Sequence, residues 1–205
     1  MRLRQGLFVI LALVLFTRCT TSSAAFSDDF SDPASGWLVA STETYQHGYD
    51  RGQYLIRLDA AERYVWTTAG RSYEDVTVEV VAQSEGAKDN HFGVLCRASG
   101  EEFYYFAIST DGYYAIFHHT KTGELFPLTG PAMLRSSLIH HDGGSNRLLA
   151  VCEASTLTFY INGERVTQVD VPEGGPERGD VGLAAGLVRG ETTVVWFDDL
   201  DVAEP

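Results

Sequence analysis

The sequence predicts an all-β protein built as a two-sheet antiparallel β-sandwich of the jelly-roll type. From Gly52 onward, short runs rich in Val, Ile, Tyr, Phe and Thr alternate with turn residues, a pattern typical of sandwiches and jelly rolls. Hairpin turns that accept positive φ angles are indicated at Asp111–Gly112, Thr122–Gly123 and Asn162–Gly163. No segment of helical length has a 3.6-residue period, and only Met133–Ile139 is compatible with a helical turn.

The apolar and β-branched runs define the predicted strands, each bounded by Gly, Asp, Asn, Ser or Pro. In chain order these are Gln53–Leu58, Arg63–Thr68, Val76–Gln83, Phe92–Ala98, Phe103–Ser109, Tyr113–His119, Glu124–Leu128, Arg147–Glu153, Leu157–Ile161, Arg165–Val171, Val181–Leu187 and Thr193–Val202.

The hairpin at Asp111–Gly112 predicts which side chains share a face, because directly paired residues point the same way. A two-residue turn sets Ser109 opposite Tyr114 and Tyr105 opposite His118, so Tyr105, Tyr114 and His118 are expected on one open face. The other face is the predicted core, with Tyr104, Phe106, Ile108, Ala115 and Phe117. A slip of one residue would exchange the two faces.

The first 25 residues are predicted to be an export signal, and residues 26–205 a single sandwich domain. A basic start precedes the ten-residue apolar run Leu7–Phe16, which is too short to cross a bilayer as a helix. Small residues at Ser23 and Ala25 fit cleavage before Phe26. The alternative is lipidation of Cys19, which precedes a Thr/Ser tract but follows Arg18 rather than a small residue. Both routes place the domain outside the cytoplasm, secreted or anchored to the cell envelope.

The charge excludes two classes of partner. Lys and Arg total 15 against 28 Asp and Glu, and the first 25 residues hold three of the bases and no acid. Residues 26–205 therefore carry 12 bases and 28 acids, a formal charge of −16. This balance argues against a nucleic-acid partner, which needs a basic face. It also argues against electrostatic docking on anionic lipid, leaving a lipid anchor as the only membrane contact.

The three cysteines leave an even pair once Cys19 is removed or lipidated. Cys96 and Cys152 both lie in strand-like segments, and in an oxidising compartment such a pair favours a disulfide. The alternative is two buried thiols that behave as small apolar groups.

The order of these segments resembles the concanavalin A-like lectin/glucanase superfamily. Within it, the chain is most similar to bacterial secreted domains related to the 3-keto-disaccharide hydrolase family. The segments that carry the resemblance are DDFSDPASGW (28–37), YDRGQYLIRL (49–58), FGVLCRASGEEFYYFAISTDGYYAIF (92–117), NRLLAVCEASTLTFYINGERV (146–166), GDVGLAAG (179–186) and FDDLDV (197–202). The resemblance implies two packed antiparallel sheets and, in many members, a concave sugar-binding face. It does not imply one function, because the superfamily spans lectins, hydrolases and adhesion modules.

No catalytic residue is assigned from the sequence. Glycosidases of this type use two carboxylates, which the glucanase branch carries on one strand as Glu-x-Asp-x-Glu or Glu-x-Asp-x-x-Glu, and neither pattern occurs here. Adjacent acids such as Glu101 and Glu102 would point to opposite faces of a strand. The histidine doublets diverge for the same reason, so no transition-metal site is predicted.

Calcium is the one candidate cofactor. The domain opens with Asp28 and Asp29 and closes with Asp198, Asp199 and Asp201. If the terminal strands pair, these carboxylates approach one another, and a hard cation with oxygen ligands would relieve their repulsion. The alternative is that these aspartates are exposed edge residues that discourage aggregation.

The aromatic residues are the candidates for a carbohydrate ligand. Rings stack on the C–H faces of a pyranose, and Tyr and Trp keep a polar tip for hydrogen bonds. The predicted ligand-binding residues are Trp66, Tyr64, Tyr105, Tyr114, His118, Arg97 and Glu102, with Trp37 as a further aromatic to test. The competing interpretation is that these rings fill the core or cover a sheet.

Three functional hypotheses follow. The leading one is an exported, noncatalytic carbohydrate-binding or adhesion module. The second is a hydrolase acting on glycosides of the 3-keto-disaccharide type, which only the resemblance implies. The third is a structural sandwich that binds other proteins.

Overall fold

The computed structural model of the protein describes residues 26–205, and these form two antiparallel sheets without a helix. The predicted export signal and Cys19 lie outside the described residues. The strands are β1 (Phe26–Asp28), β2 (Ala40–Ser41), β3 (Tyr45–Asp50), β4 (Gln53–Leu58), β5 (Arg63–Tyr73), β6 (Val76–Gly86), β7 (Asn90–Ser99), β8 (Glu102–Ile108), β9 (Tyr113–His119), β10 (Leu125–Pro127), β11 (Leu134–Arg135), β12 (Asn146–Glu153), β13 (Thr156–Ile161), β14 (Glu164–Asp170), β15 (Gly179–Leu187) and β16 (Thr193–Ala203).

The predicted β-sandwich is confirmed. In the described part of the chain, a nine-stranded sheet has the order β14-β13-β12-β6-β16-β4-β3-β2, with β1 paired to β16. A seven-stranded sheet has the order β10-β9-β8-β7-β15-β5, with β11 paired to β9. All twelve predicted strands are present, with ends that shift by up to five residues. Residues 26–205 contain no helix long and apolar enough to span a bilayer.

The core lies between the two sheets and follows the period-two pattern of the strands. In β6, Val76, Val78 and Val80 are fully buried, whereas the intervening Thr77 and Glu79 are partly exposed. Side chains alternate between the two faces of a strand, so the valines face the opposite sheet. The alternation therefore places each sheet's apolar side inward.

The predicted disulfide is confirmed. Cys96 of β7 and Cys152 of β12 are bonded, with their Cα atoms 6.8 Å apart. Both residues are fully buried members of the core cluster, so the bond joins the seven-stranded sheet to the nine-stranded sheet through the interior.

The predicted register of the β8–β9 hairpin is wrong by one residue. Ser109 N donates to Tyr113 O at 2.8 Å and Gly112 N donates to Ser109 O at 3.0 Å, so the loop has three residues rather than two. The extra residue is Thr110, whose N–H donates to Asn90 Oδ1 at 2.9 Å and whose hydroxyl bonds Ser84 Oγ at 2.6 Å. These buried bonds hold Thr110 in the loop and move every residue of β9 to the other face.

The remaining differences concern short elements. The structure has strands β1, β2, β3 and β11, for which no strand is predicted, and the segment Met133–Ile139 contains β11 rather than a helical turn. Strand β11 forms because Leu134 pairs with Tyr114 and Arg135 with Tyr113 of β9. A short strand of this kind is stabilised by its neighbour and not by its own sequence.

Candidate functional site

The outer side of the seven-stranded sheet, turned away from the other sheet, carries a cluster of aromatic side chains that we call the ring face. Its ring centroids approach one another to between 4.5 Å, for Phe103 and His119, and 6.4 Å, for Tyr64 and Phe103. Its members are Tyr64, Trp66, His91, Phe103, Tyr105, Phe117 and His119. The rings form a second apolar cluster, separate from the core between the sheets.

The rings meet because β15, one of the two strands between them, carries small residues on its outward side. Trp66 of β5 and Phe103 of β8 are separated by β15 and β7, about 14 Å at the usual strand spacing, yet their ring centroids lie 5.5 Å apart. Both side chains must therefore lean over β15, whose outward positions are Gly182, Ala184 and Gly186. A Cβ on Gly186 would lie 2.2 Å from His91 Nε2, so the imidazole fits here because residue 186 has no side chain.

Burial opposes the charged form of three titratable members of the ring face. Burial lowers the pKa of His91 to about 4 and raises the pKa values of Tyr64 and Tyr105 well above their ordinary range. His91 Nδ1 lies 3.1 Å from Tyr105 Oη, and Tyr105 Oη donates to Ala184 O at 3.4 Å. The Tyr64 hydroxyl is buried and has no hydrogen-bond partner among residues 26–205.

The ring face reaches solvent at the free edge of β5, where it forms one wall of a small cleft that we call the edge cleft. The cleft has a volume of about 200 Å³ and is lined by Tyr45, His47, Arg63, Tyr64, Val65 and Trp66. Tyr64 stacks on Trp66 with centroids 5.5 Å apart, and Tyr45 stacks on His47 at 6.0 Å. Burial lowers the pKa of His47, which leaves the exposed Arg63 as the only charged side chain in the lining.

Of the predicted ligand-binding residues, Trp66 and Tyr64 lie in the edge cleft and both are partly exposed. Tyr105 lies on the predicted outer face, but it is fully buried beneath the neighbouring rings. The prediction that Tyr105 is open to solvent is therefore wrong, because rings from other strands cover it, which a strand pattern does not reveal.

Tyr114 and His118 lie on the inner side of the sheet, so the prediction that they share a face with Tyr105 is wrong. The three-residue β8–β9 loop is the reason, since it pairs Tyr105 with Phe117 and Tyr104 with His118. Tyr114 is a core residue whose hydroxyl donates to Val166 O at 3.1 Å. Ala115 and Phe117, both predicted in the core, lie on the outer side of the sheet, where Phe117 belongs to the ring face.

Arg97 and Glu102 lie together at one end of the sandwich, away from the edge cleft. Arg97 is only 1% exposed and sits in a β-bulge with a φ of 53°. Its Nε donates to Glu74 O at 2.8 Å, and its Nη2 donates to Ala154 O at 3.0 Å and Asp75 Oδ1 at 3.2 Å. These bonds satisfy the buried guanidinium and give Arg97 a structural role.

Glu102 forms a small ionic cluster near the same end. Its carboxylate lies 3.2 Å from His118 Nε2 and 3.2 Å from Lys121 Nζ. The predicted polar residues therefore form contacts with one another and with loops, and none of them lines the edge cleft.

Trp196 is an outward-facing tryptophan outside the predicted ligand-binding set, and Trp37, a predicted aromatic to test, is buried. Trp37 is a core residue, 5% exposed, whose Nε1 donates to Asp28 Oδ2 at 2.9 Å. Trp196 lies partly exposed on the outer side of the nine-stranded sheet, between the fully buried Val195 and Phe197. That alternation is visible in the sequence and was the signal for an outward-facing tryptophan.

The terminal strands pair, which is the condition for the predicted calcium site, with Asp28 opposite Leu200 and Ser27 opposite Asp201. Asp28 is engaged by the protein itself, since Phe30 N and Trp37 Nε1 donate to its two carboxylate oxygens at 2.8 Å and 2.9 Å. Among residues 26–205, no group of three or more His, Cys, Asp or Glu side chains is placed to hold a metal ion. The calcium site at Asp28, Asp29, Asp198, Asp199 and Asp201 stays a prediction.

The chain matches no protein-family model and no curated protein sequence. Its fold is shared with many solved structures. A carbohydrate-binding module, CBM66, from Bacillus subtilis aligns over 90% of this chain and 98% of its own, with a TM-score of 0.56 and 14% identity. The catalytic domain of an endo-1,3-β-glucanase (laminarinase) from Thermotoga petrophila aligns over 87% and 96%, with a TM-score of 0.60 and 11% identity.

A galectin-like protein of unknown function from Bacillus subtilis aligns over 89% of this chain and 97% of its own, with a TM-score of 0.59 and 11% identity. At these identities the likeness shows the fold alone. The chain shares its β-sandwich fold with binding and hydrolytic proteins alike, and a fold does not by itself define a function.

Proposed function

We propose that this protein is an exported, noncatalytic carbohydrate-binding or adhesion module, and that the edge cleft is its sugar site. The single observation that carries the proposal is the stacked pair of Trp66 and Tyr64, which lines the cleft opposite Tyr45 and beside Arg63.

The chemistry of the cleft suits a saccharide. Aromatic faces pack against the C–H groups of a sugar ring, while the exposed guanidinium of Arg63 supplies hydrogen bonds to its hydroxyl groups. Small-ligand sites commonly combine an apolar lining with a few polar groups of this kind. The fold that the chain shares with a carbohydrate-binding module and a laminarinase domain also supports a carbohydrate ligand.

The lining of the cleft favours binding over hydrolysis. Glycoside hydrolysis uses two carboxylates across the scissile bond, whereas the cleft is lined by four aromatic side chains, an arginine and a valine. A hydrolase of the 3-keto-disaccharide type is the second candidate. The observation that favours it is a separate cavity of about 560 Å³ beside Arg97, lined by Glu74, Asp75, Glu173 and Glu177.

The location outside the cytoplasm is part of the same proposal. The basic and apolar start of the sequence supports export, and the Cys96–Cys152 disulfide suits an oxidising compartment. Labelling of cells with a lipid precursor distinguishes a tether at Cys19 from cleavage before Phe26.

Affinity electrophoresis of the purified protein through gels containing dextran, amylose, β-1,3-glucan, galactomannan or pectate tests the function. We expect retardation by at least one neutral polysaccharide. Trp66→Ala should weaken that binding at least about tenfold, since an aromatic contact contributes on the order of 1 kcal/mol or more beyond buried area.

Phe126→Ala is the matched control, because Phe126 is a 51% exposed aromatic residue outside the cleft lining, and it should bind as the wild type does. Absence of retention in every gel would refute the module. Release of sugar from a 3-keto-disaccharide, abolished by Glu74→Gln or Glu177→Gln, would favour the hydrolase instead.

A further inference from the structure

We propose that the outer side of the nine-stranded sheet carries a second saccharide site, centred on Trp196, for an uncharged polysaccharide. This inference rests on the proposed function and extends it, because two sites on different sides would make a single chain divalent.

Trp196 lines a polar depression on this sheet. It is paired with Leu55 of β4 on one side and with Gln83 of β6 on the other, and paired residues point the same way. The depression has a volume of about 160 Å³ and is lined by Asp50, Arg51, Gln53, Gln83, Glu85 and Trp196.

Trp196 differs from the other two tryptophans in having no aromatic neighbour in the described part of the chain. Trp37 packs against Phe30 and Tyr54, and Trp66 packs against three rings of the ring face. Trp196 lies on the outer side of the nine-stranded sheet, turned away from the seven-stranded sheet, and is partly exposed. Its indole therefore has a face available to a ligand.

The groups around the indole are those that bind hydroxyl groups. Gln53 Nε2 donates to Asp198 Oδ2 at 3.2 Å, a bond that fixes the orientation of the Gln53 amide and leaves its Oε1 as an acceptor. Asp50 and Arg51 form only a loose pair, 3.9 Å apart, with side chains 42% and 90% exposed. Both side chains are therefore free to hydrogen-bond to a ligand.

The negative charge of the protein favours an uncharged glycan over an acidic one. Residues 26–205 carry 12 bases against 28 acids, and the depression itself holds Asp50 and Glu85 against Arg51. A polysaccharide rich in carboxylate or sulfate would be repelled at long range. An uncharged chain of sugars avoids that repulsion and still offers C–H faces to the indole.

The two proposed sites open on different sides of the sandwich. The edge cleft lies between β5 and β3, whereas Trp196 projects from the outer side of the nine-stranded sheet. One chain can therefore hold two polysaccharide strands, or two distant segments of one strand. Divalent binding raises retention on an immobilised polymer well above that of either site alone, by 10² or more.

The test combines titration calorimetry with bead cross-linking, using oligosaccharides and latex beads of the neutral polysaccharide that retains the wild type. The wild type, verified as a monomer by light scattering, should bind two oligosaccharides per chain and cross-link the beads. Trp196→Ala and Trp66→Ala should each bind one oligosaccharide, lose cross-linking and bind the beads roughly 10²-fold more weakly.

Gln83→Ala is a second variant, which removes a polar contact without removing the indole, and it should weaken one of the two sites at least about threefold. Unchanged stoichiometry and cross-linking in Trp196→Ala would overturn the inference while leaving the edge cleft intact. The inference would also be overturned, and the edge cleft retained, if Trp66→Ala lost all binding while Trp196→Ala bound as the wild type does. If Trp196→Ala loses all binding and Trp66→Ala binds as the wild type does, the edge cleft is refuted and the sugar site is assigned to Trp196.

Discussion

At the scale of single residues, His91 shows how burial controls charge on the ring face. The imidazole lies among Tyr64, Tyr105 and Phe117, with ring centroids 5.5 to 6.2 Å away, and over Gly186. Water is excluded from most of the ring, so the charged form is disfavoured and the pKa falls to about 4. The folded protein therefore binds a proton on His91 less readily than the unfolded chain does.

This difference predicts an acid-sensitive stability. Between pH 6.5 and about 4, the unfolded chain is protonated at His91 and the native state is not, so stability is complete above pH 6.5 and declines as the pH falls. We expect a loss of about 2 kcal/mol over this window, somewhat below the full value of the shift because part of the ring edge reaches solvent. Urea unfolding at several pH values measures it.

His91→Gln is the control for the carboxylates that titrate at the lower end of the same window. The amide cannot titrate, so the pH dependence of the variant should be shallower than that of the wild type by the amount assigned to His91. Parallel curves for the two proteins would show that His91 is not the group responsible.

Arg97 illustrates why residue type alone misassigned part of the site. An arginine in a strand that resembles a lectin is a reasonable ligand contact, but here three protein acceptors satisfy its guanidinium. Two of those acceptors, Glu74 O and Ala154 O, belong to segments distant in sequence. No local pattern predicts that they converge on one side chain.

At the scale of elements, β15 decides whether the ring face can exist. Its inward residues Val181, Leu183 and Leu187 are large and complete the core, whereas its outward residues are glycine or alanine. The segment GDVGLAAG thus combines one apolar face with one nearly flat face. Rings from β5, β7 and β8 lie over the flat face because nothing on β15 obstructs them.

Gly186→Ala tests that role. The glycine has no positive φ, so the backbone accepts alanine, but the new Cβ would lie 2.2 Å from His91 Nε2. The imidazole must move and its contact with Tyr105 Oη is lost, which should destabilise the protein by about 1–3 kcal/mol. Thermal or urea unfolding measures the change.

The double variant Gly186→Ala/His91→Ala separates the collision with His91 from any other effect of replacing the glycine. Removing the imidazole relieves the collision, so the two changes should cost less together than the sum of the single variants. Additive costs would show that the alanine methyl does not press on His91.

The β8–β9 hairpin shows the limit of predicting a register from turn residues. An Asp-Gly pair fits both a two-residue turn and a three-residue loop with glycine at its positive-φ position. The choice depends on Thr110, whose bonds to Asn90 and Ser84 come from other strands. A tertiary contact of one loop residue therefore assigned Tyr114 to the core and Phe117 to the ring face.

At the scale of the whole molecule, the disulfide is the covalent link between the two sheets. Cys96 and Cys152 are 56 residues apart in sequence, and a loop of this size restricts the unfolded chain considerably. We expect reduction to lower the free energy of unfolding by about 4 kcal/mol on the chain-entropy estimate. Urea unfolding with and without dithiothreitol measures the difference.

Cys96→Ala/Cys152→Ala is the matched control for effects of the reductant. Dithiothreitol should leave the stability of this variant unchanged, and its stability should lie at or below that of the reduced wild type. A reduced wild type as stable as the oxidised protein would mean that the bond contributes nothing to the sandwich.

The sequence by itself determined the sandwich, most strand positions and the identity of the cysteine pair. These features depend on local periodicity, turn residues and counting, which a single chain displays directly. The alternation of Val195, Trp196 and Phe197 also indicates the outward position of Trp196.

Only the tertiary structure decided which aromatic residues meet solvent. Tyr105 and Trp66 both occupy outward strand positions, but Tyr105 is covered by rings from neighbouring strands while Trp66 reaches the free edge of β5. Burial on the outside of a sheet is set by side chains from other strands and by the order of those strands. The alternation within one strand shows which face of the sheet a side chain occupies, but it does not show how far side chains from other strands bury that residue.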